Sequence, residues 1–282
     1  MKPFASEKIR DYLMEDIGYG DITSNALIPE GQMARARLYL REPGVASGID
    51  ESVIIFELLG CKVKQLRKDG SNVEAHEVLL DVEGPARALL AGERTALNIV
   101  GRMVGVATQT AKAVSEAAAR NPNVRVAATR KTLPGFRDLD KKAVEHGGGD
   151  THRFRLDDCV LIKDNHLELV PSITEAVRIV RSHISFTKKI EVEVRSLAEA
   201  EEAARAGADI IMFDNMSPKM IEESLMVLRE KGFRKDLIYE ASGGITLENI
   251  GDYAATGVDV VSLGSLTHSV RSLDVKLEIE MM

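Results

Sequence analysis

The stretch THRFRLDDCVLIKDNHL, residues 151–167, sets two His, two Arg, one Lys, three Asp and one Asn around the apolar run Cys159-Val160-Leu161-Ile162. A short apolar run bounded by polar residues reads as a buried strand. This one opens straight into Lys163-Asp164-Asn165-His166, which brings ionisable groups to a strand end where a bland polar turn would suffice. The pattern repeats along the chain. Other strand-like runs end in Arg130-Lys131, Asp214-Asn215, Ser242-Gly243-Gly244 and Gly264-Ser265. In parallel barrels the chemistry sits at the C-terminal ends of the strands, so polar and small residues recurring there define a functional rim.

Three features of that rim indicate its chemistry. In IEVEV, Glu191 and Glu193 are two apart and share one strand face. If that face is the barrel interior, each carboxylate needs a cation or a metal, and Lys163 is the nearest candidate in sequence. The runs ASGGI and LGSL free backbone N–H groups at successive strand ends, a phosphate cradle of the kind barrels build after their last strands. Arg130, Lys131, His152, Arg153, Arg155 and Lys163, with Arg94 and Arg137 further off, form a cation set in a chain of net charge −7. Guanidinium groups bind carboxylates and phosphates bidentately, so the set asks for a substrate with several negative groups. Glu193 and Asp214 on the same rim suit Mg²⁺ or a pair of sugar hydroxyls. His146, His152, His166 and His268 lack zinc-hydrolase spacing, and neither a P-loop nor a Ser-His-Asp signature is present.

The elements that must position these groups follow from the rhythm of the chain. From about residue 122, strands are expected at 124–130, 158–164, 189–194, 209–214, 237–242 and 258–263. Helices are expected around 137–147, 172–183, 197–206, 217–231 and 246–256, several ending at Gly147, Gly207, Gly232 or Gly257. Near-continuous apolar strands alternating with helices predict a parallel sheet covered by helices. Six such units, with no dinucleotide fingerprint after the first strand, fit a (β/α) barrel, incomplete with about six strands, better than a doubly wound sheet. The first hundred residues are mixed: a helical start, strands at 34–41, 62–66 and 77–82, and a helix between the first two. A long helical stretch then follows, expected to be interrupted or bent around Gly101 and Gly105. The C-terminal SLDVKLEIEMM alternates like a strand returning to the N-terminal sheet.

Composition narrows the class further. The acidic balance and the absence of Trp argue against a nucleic-acid partner. No stretch approaches the roughly 20 apolar residues of a membrane span, and the N-terminus lacks a signal-peptide core, so a cytoplasmic location is expected. Cys61 and Cys159 lack metal-ligand spacing and read as small buried hydrophobes in a reducing compartment. The residues alone therefore describe a barrel enzyme for phosphate- and carboxylate-bearing substrates, with Mg²⁺ expected, and leave its reaction open.

The block TRKTLPGFRDLDKKAVEHGGGDTHRFRLDDCVLIKDNH, residues 129–166, closely resembles the quinolinate phosphoribosyltransferases. EDIGYGDITS, GERTALN, VEV, IMFDNM, EASGGI and LGSLTHS extend the resemblance, in order, over essentially the whole chain. Leu133 and Val104 depart from the family pattern without removing a charged group. The resemblance implies an N-terminal α/β sandwich domain over residues 1–107, to which 270–282 returns, and an incomplete barrel of about six strands over 108–269, of the type II phosphoribosyltransferase kind. It also implies a homodimer. The implied reaction takes quinolinate and phosphoribosyl pyrophosphate (PRPP), with Mg²⁺, to nicotinate mononucleotide, pyrophosphate and CO₂ in de novo NAD synthesis.

By motif position, Arg130, His152, Arg153 and Lys163 resemble the quinolinate-binding residues, and Arg94 the arginine contributed across the dimer. Lys131 resembles the residue beside PRPP. Glu193 and Asp214 resemble the acids facing the ribose and Mg²⁺. Ser242, Gly243, Gly244 and Gly264, with His268 beyond, resemble the 5′-phosphate loops. Lys131, Lys163, Glu193 and Asp214 are the implied catalytic residues. Three alternatives remain to be weighed: a nicotinate phosphoribosyltransferase that does not decarboxylate, a paralogue group associated with molybdate transport that lacks the lysine of IKDNH, and a catalytically silent anion-binding barrel. The pair His152-Arg153 together with Lys163 favours two substrate carboxylates, and the strand-end charges are intact.

Overall fold

Residues 3–233 and 237–282 are described in a computed structural model of the chain. The elements run α1 (Pro3–Ile17), α2 (Ile22–Leu27), β1 (Met33–Leu40), β2 (Gly44–Val45), α3 (Ile49–Leu58), β3 (Lys62–Gln65), β4 (Asn72–Val73), β5 (Val78–Pro85) and α4 (Ala86–Ala118). There follow β6 (Arg125–Ala127), α5 (Arg137–His146), β7 (Val160–Ile162), α6 (Asp164–Leu167), α7 (Ile173–His183), β8 (Ile190–Val194), α8 (Leu197–Ala206), β9 (Ile210–Asp214), α9 (Pro218–Glu230), β10 (Ile238–Ser242), α10 (Ile250–Ala255), β11 (Val260–Ser262), α11 (Ser265–His268) and β12 (Val275–Met281). They divide into two units, one of residues 1–109, 142–148 and 270–282, the other of residues 110–141 and 149–269. Among the described residues no helix is long and apolar enough to cross a membrane.

The first unit is built on an antiparallel sheet of order β12-β1-β5-β3. Strict alternation in β1 buries Ala34, Ala36, Leu38 and Leu40 and turns Arg35 and Arg37 outward. Leu38 sits opposite Leu277 of β12 on one side and Leu80 of β5 on the other, so the C-terminal strand completes this sheet. The expected interruption of α4 does not occur: the helix is continuous through Gly101 and Gly105. These glycines admit a neighbouring segment. A Cβ at Gly105 would stand 2.3 Å from the Arg271 carbonyl oxygen, and one at Gly101 would stand 3.0 Å from that of Leu273.

The second unit is a six-stranded parallel sheet of order β6-β11-β10-β9-β8-β7. That is chain order taken cyclically and broken between β6 and β7, an α/β barrel left open at one seam. A single bridge, Ala127 to Asp150, stands at that seam. On β8, Ile190, Val192 and Val194 pack outward against the helices, with Ile211, Phe213, Tyr239, Ala241 and Val261 of the next three strands. Each buried Val, Ile or Phe among them contributes roughly 1.5–3 kcal/mol. The alternate residues therefore point inward. Register places Glu193, Met212, Glu240 and Val260 in one interior row and Asp214, Ser242 and Ser262 in the row above it. Ser172, Ser196 and Ser217 cap α7, α8 and α9 by accepting the N–H three residues on. The strands are shorter than expected, 125–127 and 160–162 being the clearest cases, because their rimward residues turn into loops that present side chains.

Candidate active site

At the C-terminal ends of the strands lies a cavity of about 420 Å³, and nearly all its lining comes from strand ends and interior rows. Arg130 and Lys131 follow β6, Lys163 follows β7, Glu193 is inward on β8, and Asp214 ends β9. Ser242, Gly243 and Gly244 follow β10, and His152 and Arg153 reach in from the loop between α5 and β7.

That loop is held in an unusual conformation. His152 has φ +51°, the left-handed region that costs a side-chain-bearing residue energy. Asp150 Oδ1 accepts the His152 N–H at 2.8 Å, and Asp158 accepts the N–H groups of Phe154 and Arg155. Arg153 Nη1 donates to the Cys159 carbonyl at 3.1 Å. From α5, Arg137 donates to the Phe154 carbonyl and to Thr132 Oγ1. Lys141, one turn further along α5 and fully buried, donates to the carbonyls of Thr151 and Arg153. Burial, then repulsion from Arg137, pulls the Lys141 ammonium down to a pKa of about 8. Arg137, expected among the substrate cations, thus supports the loop, and Arg155 lies exposed, 3.8 Å from Asp138.

Two carboxylates lie beneath His152. Its Nε2 is 3.1 Å from Glu240 Oε2 and 3.5 Å from Glu191 Oε2, and the Ser262 hydroxyl donates to the other Glu240 oxygen at 2.5 Å. Burial disfavours charge on His152, yet the hydrogen bonds and charges of Glu191 and Glu240 push its pKa up to about 10. Against this, Nδ1 accepts the Arg153 N–H at 2.8 Å, leaving Nε2 as the protonated nitrogen. Geometry decides which proton the acids hold: the one on Nε2, since a second on Nδ1 would displace the Arg153 N–H. The same point bears on His152, Glu191 and Glu240 as a metal site, their ligand atoms lying within 4.8 Å of one another. With its proton on Nε2 the ring offers no lone pair there, so this is a hydrogen-bonded trio. Glu191 is fully buried with Oε2 3.5 Å from His152 Nε2, and burial foremost raises its pKa.

The cation expected for the IEVEV acids meets only one of them. Lys163 Nζ lies 2.7 Å from Glu193 Oε2, while Glu191 faces His152. His166 turns back to accept the Lys163 N–H and starts α6; it does not enter the cavity. Asp214 receives the Asn215 side-chain amide at 2.9 Å and stands 3.5 Å from Arg195, which also holds Asp164 at 2.7 Å. Arg130 is the counterpoint. Its Nε is buried without a hydrogen-bond partner, and burial and the charges of Arg153 and Arg137 all lower its pKa. Crowded guanidinium groups with no acid between them favour an anion.

The glycine cradle has its own geometry. Gly243 and Gly244 have φ of +91° and +64°, and a Cβ at Gly243 would stand 2.5 Å from the Asn215 side-chain oxygen. Only glycine brings the backbone this close. Gly264 and His268 do not line the cavity; they flank Lys131, whose side chain approaches within 3.0 Å of where a Gly264 Cβ would be. Arg94 belongs to the other unit, on α4, where it lines a cavity of about 380 Å³ with Asn98, Arg102 and Ser272. Cys159, expected to be buried, is half-buried beside the loop.

The structure therefore gathers Arg130, Lys131, His152, Arg153, Lys163, Glu193, Asp214, Ser242, Gly243 and Gly244 around one cavity. Sequence reasoning missed Glu240, although it stands in the quoted EASGGI, and Lys141. The signal for Lys141 was its spacing, three residues before buried Val144 on the inner face of α5.

A family model described as quinolinate phosphoribosyl transferase, C-terminal domain, matches residues 106–278, and its N-terminal counterpart matches residues 21–104. The probable nicotinate-nucleotide pyrophosphorylase (carboxylating) of Methanocaldococcus jannaschii is 50% identical over 99% of this chain and 98% of its own. The human nicotinate-nucleotide pyrophosphorylase (carboxylating) is 39% identical over 90% of this chain and 85% of its own. The crystal structure of NadC from Streptococcus pyogenes superposes with a TM-score of 0.93 at 36% identity, covering 100% of this chain and 99% of that one.

Proposed function

This chain belongs to the quinolinate phosphoribosyltransferase family, and from that premise we propose how its rim cavity performs the carboxylating nicotinate-nucleotide pyrophosphorylase reaction of NAD synthesis. Quinolinate and PRPP give nicotinate mononucleotide, pyrophosphate and CO₂. The observation that carries the site assignment is the division of the cavity. Arg130, with its unpartnered Nε, and Arg153 form an acid-poor end, while Glu193, Asp214 and the glycine cradle form the other.

Arg130, Arg153 and Lys163 hold the two quinolinate carboxylates, with His152 lining the wall beside them, and aim the ring nitrogen at C1′ of the sugar. The cradle of Ser242, Gly243 and Gly244 takes the 5′-phosphate through backbone N–H groups. Gly264 and His268 back this end through Lys131, which lies beside the pyrophosphate. The C1′–O bond breaks with its electron pair leaving on pyrophosphate, and Glu193 and Asp214 stabilise the positive charge left on the ribosyl ring. The pyridine nitrogen then bonds to C1′. The resulting pyridinium accepts the electron pair released when the adjacent carboxylate departs as CO₂, and a proton takes its place at C2. The chain positions and desolvates that carboxylate.

Glu193 and Asp214 are hard oxygen donors on one wall, which suits Mg²⁺. Each already stands near a cation, Lys163 or Arg195, and the two acids would hold the ion together. A Mg²⁺ held by Glu193 and Asp214 would supply neutralisation of the charge on the departing pyrophosphate. The active form is a homodimer in which Arg94 reaches the neighbouring rim, and two unpaired thiols, both raised to about 11 by burial, fit a reducing cytoplasm.

The test is release of ¹⁴CO₂ from 2-carboxyl-labelled quinolinate by purified protein with PRPP and Mg²⁺. CO₂ that requires every component supports the reaction. Nucleotide formed from nicotinate without CO₂ indicates the non-decarboxylating transferase, and silence in both a binding barrel.

A further inference from the structure

Lys141 carries a charge in a place where a methionine or leucine would fill the space at less cost in desolvation. It is fully buried, and its ammonium is spent on two backbone carbonyls, those of Thr151 and Arg153. These carbonyls flank His152, the residue held at φ +51°. Within residues 150–159 the turn is also tied through Asp150, Asp158 and Cys159. From α5, Arg137 reaches the Phe154 carbonyl and Lys141 the two carbonyls around His152, while Glu240 meets the His152 ring and Lys188 the carbonyls of Asp157 and Asp158 further along the loop. A charge-assisted bond to each flanking carbonyl fixes both peptide planes, and with them the directions of the His152 and Arg153 side chains.

We propose that Lys141 is a positioning residue for the dicarboxylate substrate: its buried ammonium locks the left-handed turn that aims His152 and Arg153 together into the rim cavity. The inference rests on the reading of that cavity as the quinolinate site. Lys141 touches no substrate and acts through the main chain of two residues that do.

Two consequences separate this role from simple structural support. The first is selectivity. PRPP is held by the glycine cradle and the β8 and β9 acids, none of which Lys141 contacts, so its loss falls on quinolinate. The second is pH. The charged groups acting on Lys141 are Arg137 on its own helix, Arg130 beyond β6, and Asp150 and Asp158 in the loop; the arginines disfavour its charge and the aspartates favour it. With the ammonium brought down to about 8, the lock opens on the alkaline side of neutrality.

The experiment is calorimetric binding of quinolinate to the full-length wild-type protein and to Lys141→Met between pH 7 and 9, with steady-state KM for both substrates. At pH 7 the variant is expected to bind quinolinate about tenfold or more weakly while its KM for PRPP stays within about twofold of wild type. Wild-type affinity is expected to fall between pH 7 and 9, and the variant to lack that fall. Equal losses toward both substrates, or unchanged quinolinate affinity, would overturn the proposal. If Lys141→Met does not fold, the wild-type series decides, because affinity constant through pH 8 contradicts the lock. Wild-type protein that binds no quinolinate would overturn the reading of the cavity and this inference with it; wild-type binding matched by the variant would overturn this inference alone.

Discussion

Lys163 reaches Glu193 at 2.7 Å from a side chain 43% exposed, while the carboxylate it meets is 8% exposed. Removing it leaves that nearly buried acid unpaired, at a cost of about 1–3 kcal/mol, within the 5–15 kcal/mol that typically holds a domain folded. Lys163→Ala is therefore expected to melt as a folded protein and to lose turnover by about 10²-fold or more. Folded protein with wild-type turnover would remove Lys163 from the mechanism. Lys141 makes a second prediction, on stability. Its folded-state pKa of about 8 lies below the ordinary lysine value of 10.5, so the folded chain binds its proton less readily than the unfolded chain. Its contribution to stability is fully present above about pH 10.5 and is lost as pH falls through about 8. Between those values, denaturant midpoints of the wild type should gain on those of Lys141→Met as pH rises, while quinolinate affinity moves the opposite way. Parallel curves for the two proteins would refute the linkage. None of this was readable from the residues of DKKAVEH. A lysine on a polar-looking helix resembles any solvated one until tertiary contacts seal it.

At the scale of elements, α4 inverts the usual rule for glycine in helices. Gly→Ala in a helix interior ordinarily stabilises by about 1 kcal/mol. At Gly105 the new methyl would stand 2.3 Å from a backbone oxygen of the returning C-terminal segment, which cannot rotate away as a side chain could. Gly105→Ala is expected to destabilise by about 1–3 kcal/mol, and a raised melting temperature would contradict this close approach. Sequence reading took Gly101 and Gly105 as an interruption or bend because local propensity was the only information available. Strand β8 shows the opposite case. Its period of two correctly turned Ile190, Val192 and Val194 to the helices and Glu191 and Glu193 inward. What the period could not show was which cation each acid meets. That depends on strand neighbours and on the loop carrying His152, 39 residues earlier in the chain.

For the molecule as a whole, the prediction concerns assembly. Arg94 lies on α4 in the first unit and is absent from the lining of the rim cavity. If it completes a neighbour's site, Arg94→Ala and Lys163→Ala should each be inactive alone. Random mixing should then restore about a quarter of wild-type activity, since half the dimers are hybrid and each hybrid has one intact site. Mixtures as inactive as their parents would leave Arg94 without that role. The open barrel has a further consequence, for solubility. A sheet that does not close has two edges with unpaired N–H and C=O groups, a template on which a foreign strand can add. Here both edge strands, β6 and β7, are three residues long. Beside β6, Asp150 donates its N–H to Val126 at 2.7 Å and accepts that of Ala128 at 2.9 Å. The residue that begins the His152 turn thus also occupies the hydrogen-bonding edge, which protects the seam against strand addition and fibre growth.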